Sequence, residues 1–97
     1  MLDRRVYIIG GGNMGAAIAE GLLDDDINNC QLVNIVDSDK KLKKIFIKKN
    51  LNFFTKIPKN IKDSLIIIAV KPQNFENFTK TTIPMQKTNL IISIMAG

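Results

Sequence analysis

The 97-residue sequence contains no histidine and a single cysteine, Cys30. One thiol excludes an internal disulfide framework, and without imidazole the usual metal-ligand sets and general-base constellations are missing. Metal catalysis is therefore not expected, and no side chain stands out as catalytic. Long apolar runs are lacking too. The longest, residues 65–70 and 90–92, fall far short of the roughly 20 residues that a bilayer-spanning helix needs. The start, Met1, Leu2, Asp3, Arg4 and Arg5, has no apolar stretch of the signal-peptide kind. The expectation is a cytoplasmic protein with no membrane partner.

Acidic residues are the scarcer sign of charge, 9 against 14 basic ones, for a net charge of +5. Such an excess invites a nucleic-acid reading, because clustered Lys and Arg neutralise phosphates and release counterions. The lysines, however, are spread over residues 40–49, 56–62 and 71–87, with no RNA-binding aromatic motif and no zinc spacing among them. They read as solvated helix faces, and no nucleic-acid partner is expected. Hydrophobic residues make up 45 % and charged residues 24 %, close to the averages of globular proteins. A chain this long builds one core and buries roughly 60–70 % of the surface that its unfolded form exposes, so residues 1–97 read as one domain.

Hydrophobic periodicity divides the chain into alternating strands and helices. Residues 5–9 form a β-branched and aromatic run that three glycines stop, which reads as a buried strand. From Asn13 to Leu23, Met14, Ile18, Gly21 and Leu22 recur at three- and four-residue intervals, and Ala16, Ala17 and Ala19 allow close packing of the resulting helix. Asp24, Asp25 and Asp26 then put negative charge at the end where the helix dipole disfavours it, so the helix stops near them or before them. Residues 32–36 read as a second strand. Asp37, Ser38 and Asp39 offer caps for a second helix whose apolar stripe is Leu42, Ile45 and Phe46. Lys48 and Lys49 suit its C-terminal end, and Asn50 suits the left-handed position just beyond.

Residues 51–55 are a short third strand and 58–63 a polar connector with room for one helical turn. Residues 65–70 are apolar without alternation, as in a central parallel strand covered on both faces. Pro72 is suited to the first turn of a helix, expected over 72–82 with Phe75, Phe78, Thr79 and Thr82 facing inward. Residues 90–95 are the fifth strand. This alternation specifies an α/β fold of the Rossmann type, three layers around a parallel sheet of about five strands in the order 3-2-1-4-5 with right-handed crossovers.

Gly10, Gly12 and Gly15 satisfy G-x-G-x-x-G directly after a strand and at the start of a helix, the context in which that spacing binds dinucleotides. Gly10 takes the tight turn, Gly12 leaves bare backbone for a pyrophosphate, and Gly15 lets the helix lie close on the first strand. The N–H groups of Gly12, Asn13 and Met14 then face the phosphates with the helix dipole behind them. The bland alternative is a glycine-rich turn without a ligand. Asp37, at the end of the second strand, is placed to accept hydrogen bonds from an adenosine ribose, which favours NADH. Ser38, Lys40 and Lys41 beside it can serve the 2′-phosphate of NADPH, and a capping role for Asp37 or Ser38 stays open. Ala69, Val70, Lys71 and Pro72 end the fourth strand at the crevice where open α/β sheets bind ligands, although a helix-starting proline beside a solvated lysine describes them equally well.

Three segments taken together, Ile-Gly-Gly-Gly-Asn-Met-Gly from Ile9 to Gly15, Ala-Val-Lys-Pro-Gln from Ala69 to Gln73 and Ser-Ile-Met-Ala-Gly from Ser93 to Gly97, resemble the N-terminal domain of pyrroline-5-carboxylate reductases. The resemblance runs along essentially the whole chain. It implies an NAD(P)H-binding domain of an enzyme that reduces 1-pyrroline-5-carboxylate to proline. It also implies that Ile9, Gly10, Gly11, Gly12, Asn13 and Met14 line the pyrophosphate, with Asp37 and Ser38 at the adenosine ribose. Ala69, Val70, Lys71 and Pro72 would lie on the nicotinamide side, and Ile94, Met95 and Ala96 would form the floor near the reacting ring.

Two positions depart from the family pattern. Thr55, Lys56 and Ile57 stand where an Asn is usual, and Met95 stands where a small residue is common. The family's helical domain, which builds the dimer and most of the substrate pocket, has no counterpart in these 97 residues, so the chain alone is expected to lack reductase activity and to form homo-oligomers only with that domain. Other readings are the first domain of a 6-phosphogluconate dehydrogenase-type or deazaflavin-dependent oxidoreductase, and a stand-alone dinucleotide-binding module.

Overall fold

The computed structural model describes residues 4–61, 63–69 and 90–93. Five strands form one parallel sheet, β1 (Val6–Ile9), β2 (Val33–Val36), β3 (Asn52–Phe54), β4 (Leu65–Ile68) and β5 (Leu90–Ser93), in the order β3-β2-β1-β4-β5. This is the Rossmann-type order expected from the sequence. Central β1 pairs Val6 with Val33 on one side and with Leu65 on the other, and both ladders run in register to Ile9. All four β1 residues are buried, which is why the run is apolar without alternation.

The pleat divides the core in two. Val6, Ile8, Val33, Ile35 and Ile67 point to one face and meet Ala19 of α1 (Asn13–Asp25) and Phe46 of α2 (Lys43–Lys48). Tyr7, Ile9, Val36, Ile66 and Ile68 point to the other and meet Ile57 and Ile61. Phe46 stacks on Phe53 with 6.1 Å between ring centroids. The expected helix over 72–82 lies outside the described residues. Among the described residues no helix is long and apolar enough to cross a membrane.

Two helical faces are phased differently from expectation. In α1 the buried residues are Gly15 and Ala19, with Ile18 and Leu22 packed beside them. Gly21 is exposed, because it lies roughly 200° around the helix from Ala19. The second helix opens as a 3-10 turn, Lys40–Leu42, before α2. Leu42 and Phe46, four residues apart, share the inward face, whereas Ile45 sits roughly 100° away and is half exposed.

Polar groups close the element ends. Helix α1 runs on through Asp25, and Asp26 then turns into a second 3-10 turn, Ile27–Gln31, its carboxylate accepting the Asn28 N–H at 2.9 Å. Buried Asn29 donates its side-chain amide to the Leu22 carbonyl at 2.7 Å, which also accepts the Asp26 N–H at 3.3 Å, so the helix end is doubly tied there. Asn50 takes the left-handed conformation, φ 60°, as expected beyond α2. The connector before β4 holds no helix in its described part. It closes with the Ser64 N–H bonded to the Ile61 carbonyl, and Asp63 there also has φ 60°.

Candidate functional site

The glycine loop between β1 and α1 stands at the carboxyl end of the central strand, beside the ends of β2 and β4. Its three motif glycines answer to different demands. Gly10 has φ 107°, a conformation that L side chains rarely adopt, and its N–H is tied to the Val36 carbonyl at 2.8 Å. Gly15 is a matter of space, since a Cβ there would lie 1.8 Å from the Gly10 carbonyl oxygen. Gly12 answers to neither demand. Its backbone is extended, φ −73° and ψ −164°, and a Cβ would meet nothing within 4 Å.

The loop sorts its amides by what already holds them. The Gly11 N–H donates to Oδ2 of Asp37 at 2.8 Å, and the glycine itself is buried between Leu42, Phe46 and Ile35, where a Cβ would come within 3.1–3.2 Å of their side chains. From Gly12 onward the chain turns outward: Gly12 and Asn13 are exposed and Met14 is half-buried. The first intrahelical bond runs from the Ala16 N–H to the Gly12 carbonyl at 2.9 Å. Among the described residues no side chain caps α1, and its first turn carries no acidic residue. Uncapped first-turn N–H groups at the positive end of a 13-residue helix favour an anion, and the open space over Gly12 gives an anion room to approach bare backbone.

Asp37, directly after β2, is held by three hydrogen bonds to the neighbouring chain. Its N–H donates to the Phe54 carbonyl at 3.0 Å. Oδ1 accepts the Asp39 N–H at 2.8 Å and Oδ2 accepts the Gly11 N–H. The helix-capping role falls instead to Asp39, whose carboxylate accepts the Lys41 N–H at 3.0 Å. Ser38, Lys40 and Lys41 are exposed around this corner. Each carboxylate oxygen of Asp37 keeps a second lone pair, so it can still accept from a hydroxyl.

The other candidates divide between the described residues and the rest. Ile9 is buried, and its carbonyl accepts the Ala69 N–H at 2.8 Å, which brings Ala69 beside the glycine loop. Val70, Lys71, Pro72, Ile94, Met95 and Ala96 lie outside the described residues. A shallow depression lined by Ile47, Asn50, Leu51, Asn52, Phe53 and Phe54 includes none of the loop residues. It follows the α2–β3 edge, where Ile47 and Phe54 are half-exposed. Among the described residues no cluster of His, Cys, Asp and Glu is arranged to hold a metal ion.

The link from Asp37 to Gly11 was not legible in the motif. The one sequence signal is that an acidic residue ends the strand neighbouring β1, at a height from which a short side chain reaches the loop. No match was found among curated proteins. Residues 5–97 match the family described as NADP oxidoreductase coenzyme F420-dependent. That span, together with the β3-β2-β1-β4-β5 sheet, makes the chain an NAD(P)-binding oxidoreductase domain and a member of this family.

Proposed function

We propose that the chain is the NAD(P)H-binding domain of a pyrroline-5-carboxylate reductase. The observation that carries cofactor binding is Gly12, a glycine that neither φ nor packing requires. A side chain there would fill only the space in front of the first amides of α1, so the residue suits a ligand that must touch bare backbone. The cofactor, when bound, supplies the hydride. The protein's part is to hold it: Gly12, Asn13 and Met14 present N–H groups to the pyrophosphate, and Asp37 with Ser38 meets the adenosine ribose. Ala69, Val70, Lys71 and Pro72, with Ile94, Met95 and Ala96, belong to the nicotinamide side. A fixed carboxylate at Asp37 favours the free ribose of NADH over a 2′-phosphate, whose negative charge it repels.

The substrate assignment is supported by the segments Ala69 to Gln73 and Ser93 to Gly97 in combination with the loop. A small-molecule imine must be held in close register with the cofactor for reduction, and these segments belong to the nicotinamide side of that register. A second reading, a deazaflavin-dependent reductase, draws support from the coenzyme named in the family description.

Calorimetric titration with NADH and NADPH, on the wild type and on Gly12→Val, tests the cofactor reading. Valine should weaken binding about a hundredfold, equivalent to roughly 2.7 kcal/mol, and leave the unfolding midpoint unchanged. A well-folded wild type that binds neither nucleotide would reduce the loop to architecture. Growth without proline, in a host lacking its own reductase and expressing the whole product of this gene, tests the substrate. Failure there, with turnover of a reduced deazaflavin instead, would transfer the assignment to the second reading.

A further inference from the structure

We propose that Asp37 is a positioning residue for the phosphate cradle, aiming the amides of Gly12, Asn13 and Met14 through its hydrogen bond to Gly11. The inference rests on the dinucleotide reading and adds a second task for a side chain otherwise assigned to the ribose. A carboxylate next to an anion-binding loop is electrostatically adverse, because it repels the phosphates that the loop attracts. Its presence therefore calls for a compensating role, and the geometry supplies one.

Helix α1 has no side-chain cap, so the direction of its first turn rests on the close seating of Gly15 against Gly10 and on the loop that leads into it. Gly10 is fastened to β2 through the Val36 carbonyl, and Gly11 is the last peptide held before the chain turns outward. Two things hold it. On one side Leu42, Phe46 and Ile35 leave room for a hydrogen and little else. On the other, Oδ2 of Asp37 takes its N–H at 2.8 Å. The carboxylate is itself held, because Oδ1 accepts the Asp39 N–H and the Asp37 backbone N–H donates to the Phe54 carbonyl. The corner after β2 thus acts as a rigid bracket on the glycine loop. Charge-assisted bonds of this kind are about twice as strong as neutral ones, which suits a bracket made by one side chain.

Ligands without an adenosine ribose separate this role from ribose recognition. Binding of inorganic pyrophosphate, reduced nicotinamide mononucleotide and NADH is followed by amide chemical-shift titration on the wild type, Asp37→Ala and Asp37→Asn. If Asp37 positions the loop, alanine weakens pyrophosphate and reduced nicotinamide mononucleotide by a similar factor of about ten, corresponding to roughly 1.4 kcal/mol, and NADH by at least as much because its ribose contact is lost as well. Asparagine, whose side-chain oxygen can still accept from Gly11, recovers most of the pyrophosphate affinity. The Gly11 amide should lose exchange protection in the alanine variant and keep it in the asparagine one. Pyrophosphate affinity that is unchanged or raised in both variants, while NADH binding falls, would leave Asp37 with the ribose alone and overturn the proposal. A wild type that binds none of the ligands would overturn the dinucleotide reading, and this inference with it. Should alanine fail to fold, the asparagine variant decides through the ratio of its NADH and pyrophosphate losses.

Discussion

Gly15 lies so close beneath Gly10 that the hydrogen of its α-carbon stands where a Cβ would be 1.8 Å from the Gly10 carbonyl oxygen. The contact is with backbone, which cannot swing aside as a side chain can. Gly15→Ala must therefore push α1 off the loop, at a cost of about 1–3 kcal/mol for overpacking of this kind. Urea denaturation should show the midpoint falling by a corresponding amount. An unchanged midpoint would mean that α1 is free to slide, contrary to the close packing described.

Phe46 anchors the other helix. It is 1 % exposed, stacks on Phe53 and lines the seat of Gly11. Phe46→Ala should cost about 3–5 kcal/mol, and because α2 is only six residues long the loss should melt it rather than leave a cavity. Helical circular dichroism and the unfolding midpoint should fall together. A variant with full helicity would show that lysine-rich α2 is stable without its anchor.

An amide pair joins β2 to β3. Buried Asn34 donates to the Val6 and Leu32 carbonyls at 3.2 and 3.0 Å, and its oxygen accepts from Asn52 at 3.0 Å. A double-mutant cycle with Asn34→Ala and Asn52→Ala should give a coupling of about 0.5–1.5 kcal/mol, the usual net worth of one such bond. Asn34→Ala should be the more damaging single change, since it removes all three side-chain bonds, the two to the Val6 and Leu32 carbonyls and the one from Asn52. Strict additivity would disprove the coupling.

The ion pair between Lys49 and Glu20 ties α1 to the end of α2, but its side chains are 37 % and 53 % exposed. Screened pairs of this kind contribute little, about 0–1 kcal/mol. Glu20→Gln should shift the melting temperature barely at all, and any shift should vanish as salt is raised. A large, salt-resistant loss would require a coupling that this exposure does not support.

Residue patterns announced most of the sheet, because parallel central strands need uninterrupted apolar side chains and few other structures do. The strand order, the turn at Gly10 and the left-handed Asn50 were all legible on that basis. Helix phase was less so. Glycine at position 21 fitted an apolar stripe by spacing, yet Gly15 and Ala19 define the contact, because the smallest side chains sit where two elements come closest. Ile45 fitted a stripe too, but a helix entered through a 3-10 turn shows the sheet only a narrow face. The bracket between Asp37 and Gly11 was invisible for a different reason: its partners are 26 positions apart, and no local pattern records which strand ends become neighbours.

The position of β1 also bears on how the chain acquires its structure. Val6 is paired on one flank by Val33 and on the other by Leu65, so the earliest of the five strands in the chain has both neighbours only after residue 65 has been made. Contacts between segments so distant in sequence slow folding, because the intervening chain must be ordered before they form. During synthesis, Val6, Tyr7, Ile8 and Ile9 must wait with one flank bare until β4 emerges from the ribosome. An apolar strand with an unpaired flank is a template for pairing between chains. The residues that make the finished sheet most secure are thus the ones most exposed to aggregation while it is being made.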